Sequence, residues 1–418
     1  MNITIIGVIE YVYERLNFII SDLKPETECK IDFKLCYSWS DIPCKSYGIY
    51  KTNRNGTVNL SEIAPLEGSY NGIDSMGLFA SCKETQPVKK NRYERDFTRE
   101  YIECWLTVTC CNDTREKAFK RFFTNKEVKY KRVTYPIVGH YFYHSEKKKS
   151  NSILLLGGSE GVANPMLPVA ACLANKGYNV LSLQYFSPAG DPLPAKELPV
   201  FLRLIPIEYI NAGIDWLCKM SGAGKASIMG FSRGAELALL TSTLNENVKK
   251  VIAVSPSAYV WQGLYTISSA WSFEKLPVPC LVVLPILGLF DSIKNVIMGI
   301  FNLPQGYYLS YELSRKLIPN KYREKARIKI EKTEANILLI AGSKDYVWNS
   351  KAAVELIDDT MKLNHKDDIL ISKIYKNAGH YFYPPFIFGI ETTGVRNKVT
   401  LSKINEEYWE LVNNFLAN

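Results

Sequence analysis

The sequence predicts an α/β protein in two parts, a small β-sandwich over residues 1–125 followed over 126–418 by a larger, mostly parallel sheet covered by helices. Three observations carry this. Up to about residue 125 the chain holds short runs rich in aromatic and β-branched residues, "KIDFKLCYSWS", "SYGIYKTN" and "REYIECWLTVTCC" among them, divided by turn clusters such as Asn53-Arg54-Asn55-Gly56. Beyond 126, continuous apolar strands alternate with helical stretches, as a sheet buried on both faces requires. One of those strands runs directly into Gly230-Phe231-Ser232-Arg233-Gly234, a G-x-S-x-G pattern, and a run of strong helix formers follows it.

The elements of the second part follow in order. "VKYKRVTYPIVGHYFYHSEKKKSNSILLLGG" reads as strand, turn, strand, charged turn and a buried strand at 153–156, with Lys147-Lys148-Lys149 as a solvated turn. A helix at 167–176, the strand "YNVLSLQY", a helix at 207–220, the strand "ASIMGF", the helix "RGAELALLTSTL" and the strand "KVIAVSP" come next. "ANILLIAGSKD" repeats the theme of apolar strand then loop, before a helix at 351–363 and the strand "DDILISKIY". Residues 259–330 break the alternation. They read as an insertion over the C-terminal edge of the sheet, forming either a lid or pocket or a plain extra helical layer.

Composition excludes several classes. With 418 residues, 47% hydrophobic and 22% charged, the chain is globular rather than disordered. Its 51 Lys and Arg against 42 Asp and Glu give +9, a weak preference for anionic ligands, and no nucleic-acid motif accompanies the charge. The first residues lack a basic start, and Glu10 and Glu14 interrupt their apolar stretch, which does not fit a signal peptide. The apolar run at 281–303 contains Asp291 and Lys294 and two early breakers, Pro285 and Gly288, so no membrane span is expected. Ten cysteines without a CxxC pair or a His at ligand spacing argue against a metal site and for a reducing, cytoplasmic setting; no cofactor is expected.

The chemistry centres on Ser232. A strand-to-helix turn this tight needs small residues on either side, and it would project the Ser232 hydroxyl from the top of the sheet; the alternative is a serine capping the next helix. A serine needs a base to take its proton and a carboxylate to orient that base. The pentapeptide "GHYFY" occurs twice, at 139–143 and 379–383, among only four histidines. His380 follows the last strand and precedes Pro384-Pro385, where the base must stand, whereas His140 lies in an alternating strand and His365 in a polar stretch. Asp345, just beyond "NILLIAG", supplies the acid in preference to Asp215 and Asp291, although an ordinary turn aspartate has the same setting. Backbone donors for an oxyanion would come from Arg233, after the serine, and from Ser159 and Glu160 in the loop Gly158 to Gly161. That loop lacks both GxGxxG and GK[ST], which makes a nucleotide site a poor reading.

Taken together, these motifs resemble the acyl-CoA thioester hydrolase and bile acid-CoA:amino acid N-acyltransferase family. "GTVNLSEIAPLEGSYNGIDSMGLFAS", "LLLGGSEG", "GYNVLSLQYF", "IPIEYINAGIDWL", "GFSRGAELAL", "ILLIAGSKDYVWNS" and "GHYFYPPF" occur in the family's order. The resemblance implies an N-terminal immunoglobulin-like β-sandwich joined to an α/β-hydrolase domain, an acyl-CoA thioester or related acyl ester as substrate, and Ser232, Asp345 and His380 at the positions of the family triad. It further implies hydrolysis, since members with serine as nucleophile tend to hydrolyse and those with cysteine to transfer the acyl group. The chain departs from the family at Glu160, in a loop that is richer in glycine elsewhere, and across 257–330.

Overall fold

The computed structural model describes every residue except 41, 86–95, 145–150, 161–165, 189–194, 302, 304 and 388–397. The lysine run at 147–149 and Gly161 fall outside the described residues. In the first part, strand burial follows the side-chain period of two. Glu28–Tyr37 and Tyr101–Cys110 each bury every second residue, because one face of their sheet meets the core and the other meets water. They are neighbours in an antiparallel sheet that continues through Cys44–Lys51 on one side and Asp113–Phe122 on the other. A three-stranded antiparallel sheet of Asn2–Ile6, Asn17–Ser21 and Val58–Asn59 completes the sandwich. Phe18 from the small sheet and Phe33 from the large one both pack on Phe79 between them.

The second part is built on one sheet of eight strands: β1 Val128–Val133, β2 Gly139–His144, β3 Ser152–Leu156, β4 Asn179–Leu183, β5 Ala226–Phe231, β6 Val248–Val254, β7 Asn336–Gly342 and β8 Leu370–Tyr375. Their spatial order is β1-β2-β4-β3-β5-β6-β7-β8, and from β4 to β8 every pairing is parallel, with β2 antiparallel to both its neighbours. This is an α/β-hydrolase sheet. Its central strands are apolar on both faces because both are covered. Ile153, Leu155, Met229 and Ile252 face one core, while Leu154, Leu156, Ile228 and Val251 face the other.

The helices are α1 Leu167–Asn175, α2 Ile207–Ser221, α3 Arg233–Ser242, α4 Pro285–Ile300, α5 Tyr308–Leu317, α6 Asn320–Ala326, α7 Ser350–Leu363 and α8 Lys398–Ala417. Apolar residues of α2, α3 and α7 fill one core. Those of α1 and α8 fill the other, and that core is continuous with the interior of the sandwich. Tyr13 stacks obliquely on Trp409 at 6.1 Å, and Arg15 binds Asp74 at 3.0 Å and Glu406 at 2.7 Å.

Pro285 and Gly288, expected to act as breakers, do not prevent a helix. Pro285 takes the first turn of α4, where the N–H it lacks would have no partner anyway. Gly288 then sits inside the helix, at a modest cost in propensity. Among the described residues no helix is long and apolar enough to cross a membrane.

Because one core spans both parts, Trp409→Ala is expected to lower stability by about 3–5 kcal/mol and to shift a single cooperative unfolding transition. Urea denaturation followed by far-UV circular dichroism checks it; two separate transitions, only one of them moved, would contradict the shared core.

Candidate active site

All of the candidate side chains leave the same edge of the sheet. Ser232 follows β5, Asp345 follows β7 and His380 follows β8, and the loop Gly157 to Glu160 follows β3. The C-terminal edge of a parallel sheet is where such loops converge.

At Ser232 the backbone has φ 54° and ψ −116°, a left-handed conformation that a side chain rarely adopts and that costs about 1–3 kcal/mol. Close packing holds it there. A Cβ on Gly230 would lie 2.1 Å from the Gly234 carbonyl oxygen, and one on Gly234 would lie 2.2 Å from that of Gly157 and 2.6 Å from that of Leu156. Both glycines of the motif are therefore required by contact. The Ser232 N–H donates to Val254 at 2.9 Å, and the Ser232 carbonyl accepts from Ala235 and Glu236. Its hydroxyl makes no capping bond to the helix, so the simple N-cap reading does not describe it.

Asp345 is buried and fully engaged. Its Oδ1 accepts from the Val347 and Trp348 amides at 2.9 and 3.3 Å, and its Oδ2 accepts from the Ser350 hydroxyl at 2.6 Å and meets His380 Nδ1 at 2.8 Å. His380 is 4% exposed, its ring set edge-on to Trp348 and Tyr381. With Nδ1 held by the carboxylate, Nε2 is the nitrogen left for a substrate or a nucleophile. Ser255 donates its hydroxyl to the His380 carbonyl at 2.6 Å, and Trp348 Nε1 donates to the Ser255 carbonyl at 3.0 Å. The structure thus brings Asp345 and His380 together. No hydrogen bond joins Ser232 to His380 among the described residues.

The other histidines are elsewhere. His140 lies in β2, 2% exposed, with Nδ1 2.9 Å from the Tyr130 hydroxyl and Nε2 3.3 Å from Arg132. Burial and then the Arg132 charge push its pKa down to about 3, so it is a neutral strand residue. His365 is exposed after α7.

Arg233 and Glu160 differ from each other in an instructive way. The Arg233 side chain points into the protein, donating to Glu236 at 3.1 Å, to the Gln262 carbonyl at 2.8 Å and to the Tyr311 hydroxyl at 3.1 Å. Glu236 in turn accepts from Trp271 Nε1 at 2.7 Å and the Trp261 amide at 3.2 Å. The pair is a satisfied buried ion pair linking the serine turn to the segment between β6 and β7. Among the described residues nothing accepts from the Arg233 amide, the first N–H of α3.

Glu160 neither turns outward nor pairs with Arg233. The residue as a whole is exposed, yet its carboxyl folds back over Gly157 and Gly158, with Oε1 accepting the Gly158 N–H at 2.9 Å. Burial of that carboxyl raises its pKa; hydrogen bonds from the Glu160 and Gly158 amides, and the charge of His380, oppose the rise. Tyr185 braces the same loop through its hydroxyl, 2.8 and 2.6 Å from the Gly157 and Gly158 carbonyls. Ser159 is exposed at the loop's surface. Tyr185, Ser255 and Ser350 were missed by reading the sequence. Only Ser350, five residues after Asp345, stood close enough along the chain to be suggested.

Among the described residues no group of three or more His, Cys, Asp or Glu is gathered that could hold a metal ion. The arrangement suits acyl transfer: a serine on a strained turn, a carboxylate-oriented imidazole, and a helix N-terminus with a free donor beside the serine. Comparison with known proteins places the chain in a family. The profile described as "Acyl-CoA thioester hydrolase/BAAT N-terminal region" matches residues 13–135, and "BAAT / Acyl-CoA thioester hydrolase C terminal" matches 205–397. The chain belongs to the acyl-CoA thioester hydrolase/BAAT family. It is 24% identical over 361 residues to acyl-coenzyme A amino acid N-acyltransferase 1 of Mus musculus, covering 83% of this chain and 78% of that protein. To acyl-coenzyme A thioesterase 2, mitochondrial, of Mus musculus it is 22% identical over 353 residues, covering 82% and 70%. The esterase Pf2001 of Pyrococcus furiosus overlaps 70% of this chain and 90% of its own, at 16% identity and a TM-score of 0.39.

Two outcomes are expected from this geometry. Gly234→Ala should cost about 2 kcal/mol or more, since its Cβ meets backbone that cannot yield; thermal melting of the variant measures this. For Glu160, a raised folded pKa means the folded state holds the proton more tightly than the unfolded chain, so stability falls as pH rises above the ordinary value of 4.5. Glu160→Gln keeps the acceptor and removes the titration. Its melting temperature relative to wild type should climb from pH 4.5 toward neutrality, and a difference that is flat with pH would show an ordinary carboxyl.

Proposed function

We infer that the protein is a serine acyl-CoA thioesterase, hydrolysing an acyl-CoA to free acid and CoA through an acyl-serine intermediate. The observation that carries this is the His380–Asp345 hydrogen bond of 2.8 Å on the same sheet edge as a serine held at φ 54°. In this reading Ser232 Oγ attacks the thioester carbonyl while His380 Nε2 takes its proton. The tetrahedral intermediate collapses with cleavage of the C–S bond, and His380 returns the proton to the departing CoA thiolate. Water, deprotonated by the same nitrogen, then cleaves the Ser232 ester and restores the hydroxyl. Asp345 keeps the imidazole in the tautomer this requires.

The oxyanion would be held by the Arg233 N–H, free at the start of α3, and the Ser159 N–H. The Gly158 and Glu160 amides serve the Glu160 carboxyl instead. A raised pKa at that carboxyl favours its neutral form and lessens repulsion of a developing oxyanion. A reducing compartment, the cytoplasm in this reading, is supported by ten cysteines that are all free thiols.

A second reading keeps the same residues and gives the acyl group to an amino acid rather than water. It is supported by the N-acyltransferase relatives, whose identity to this chain is similar to that of the thioesterases. The deciding experiment is turnover of an acyl-CoA series from short to long chains, followed by thioester absorbance, with and without free amino acids and with Ser232→Ala alongside. Hydrolysis by the wild type and a loss of at least about a thousandfold in the variant is the expected result. Amide products seen by mass spectrometry would favour the second reading. No turnover, with Ser232 still labelled by a fluorophosphonate, would leave the serine site intact and overturn the CoA substrate.

A further inference from the structure

Helix α4 is mounted the wrong way round for a soluble protein. Ile286, Leu289, Phe290, Ile293, Val296 and Ile300 are each between 55% and 75% exposed. At 3.6 residues per turn they share an arc of about 120°, the width of stripe that a helix normally turns to the core. Of the two charged residues of the helix, Asp291 stands on the opposite side, facing the protein, and Lys294, half-buried, lies on the flank beside it.

Polar bonds fix that orientation. Asp291, fully buried, accepts from the Ser310 amide at 2.9 Å and the Ser310 hydroxyl at 2.5 Å, and pairs with Lys294. Lys294 also donates to the Gly306 carbonyl at 3.0 Å, and Asn295 accepts from the Gly306 amide at 2.9 Å. Rolling α4 to bury its apolar stripe would break all of these and leave a carboxylate uncompensated. Six large side chains would otherwise be a liability: a contiguous apolar patch beyond a few hundred Å² on a monomer marks a place where something binds.

We propose that α4 lies flat on the surface of an anionic lipid bilayer, its apolar stripe sunk at the headgroup boundary. Charge identifies the occupant. Residues 308–332, which include α5, packed against α4, and α6, which follows it in the chain, carry eight Lys and Arg against three Glu, more than half of the chain's net +9. Lys321 and Lys325 are exposed and make no ion pair among the described residues, and the exposed Leu317 and Tyr322 stand among these cations. An apolar helix face beside basic residues is the composition of an interfacial anchor. A second copy of the chain on this stripe would bring two such basic segments together, and like charges at an interface are costly. The helix lies on the bilayer rather than across it: 16 residues span about 24 Å, short of the roughly 30 Å hydrocarbon layer, and its inner face is bonded to protein.

Flotation of the full chain with vesicles tests this, whatever Ser232 acts on. Phosphatidylcholine vesicles containing phosphatidylserine should carry the protein up the gradient, less so at high salt, while phosphatidylcholine alone should carry much less. Ile293→Glu should cut the bound fraction at least tenfold, and Lys321→Glu with Lys325→Glu should remove the preference for phosphatidylserine. Each variant is checked for wild-type circular dichroism and melting, with Phe290→Ser as a second change in the stripe. Protein that stays in solution with both vesicle types overturns the proposal, as does a wild-type dimer in light scattering that Ile293→Glu converts to monomer.

Discussion

The architecture rests on the distance between two pieces of backbone. Where β5 ends and α3 begins, the chain passes so close to itself and to the loop after β3 that neither Gly230 nor Gly234 has room for a methyl group. That proximity forces Ser232 into a backbone conformation it would not choose, presents its hydroxyl at the sheet edge and leaves the first N–H of α3 without a partner among the described residues. Strain of a few kcal/mol at one residue is tolerable only where the surrounding packing over-determines it. Here two cores, one on each face of the sheet, supply that packing.

Around this turn, polar groups have been buried in complete sets rather than singly. Arg233, Glu236, Trp261, Trp271, Tyr311 and the Gln262 carbonyl satisfy one another, and Asp345 uses both oxygens on three amide or hydroxyl donors and one imidazole. A buried ion pair is a weak source of stability but a strong source of position, since breaking it exposes either partner to full desolvation. The consequence is mechanical. The segment between β6 and β7 is tied to the serine turn through Arg233 and to the loop after β7 through Tyr307 and Tyr308, which donate to the Val347 and Tyr346 carbonyls.

Much of this was legible in the sequence, for a physical reason. A central parallel strand must be apolar on both faces, so β3, β5, β6 and β7 announce themselves, and the G-x-S-x-G spacing encodes a contact that only glycine permits. Asp345 and His380 could be named because each follows such a strand. What the sequence did not reveal were bonds between distant segments. Nothing in "GGSEG" says that the Glu160 carboxyl bends back to its own loop, or that Tyr185 braces it from just beyond β4. The periodicity of α4 is plain in "PILGLFDSIKNVIMGI", but which side faces inward depends on Ser310 and Gly306, and Pro285 reads as a breaker until its place in the first turn is known. The repeated "GHYFY" makes the same point. One copy is strand and the other loop, so five identical residues carry a neutral histidine in one place and a carboxylate-bound one in the other.

The core shared by the sandwich and α8 has a consequence for how the chain is made. Tyr13 and the Gly77–Ala80 turn of helix are synthesised long before Trp409, Tyr408 and Val412, which close the same core from far along the chain. Until they are made, the β-sandwich carries an apolar flank whose cover does not yet exist. Folding of the first part cannot be completed vectorially, and the nascent chain must keep that flank from other chains until α8 arrives.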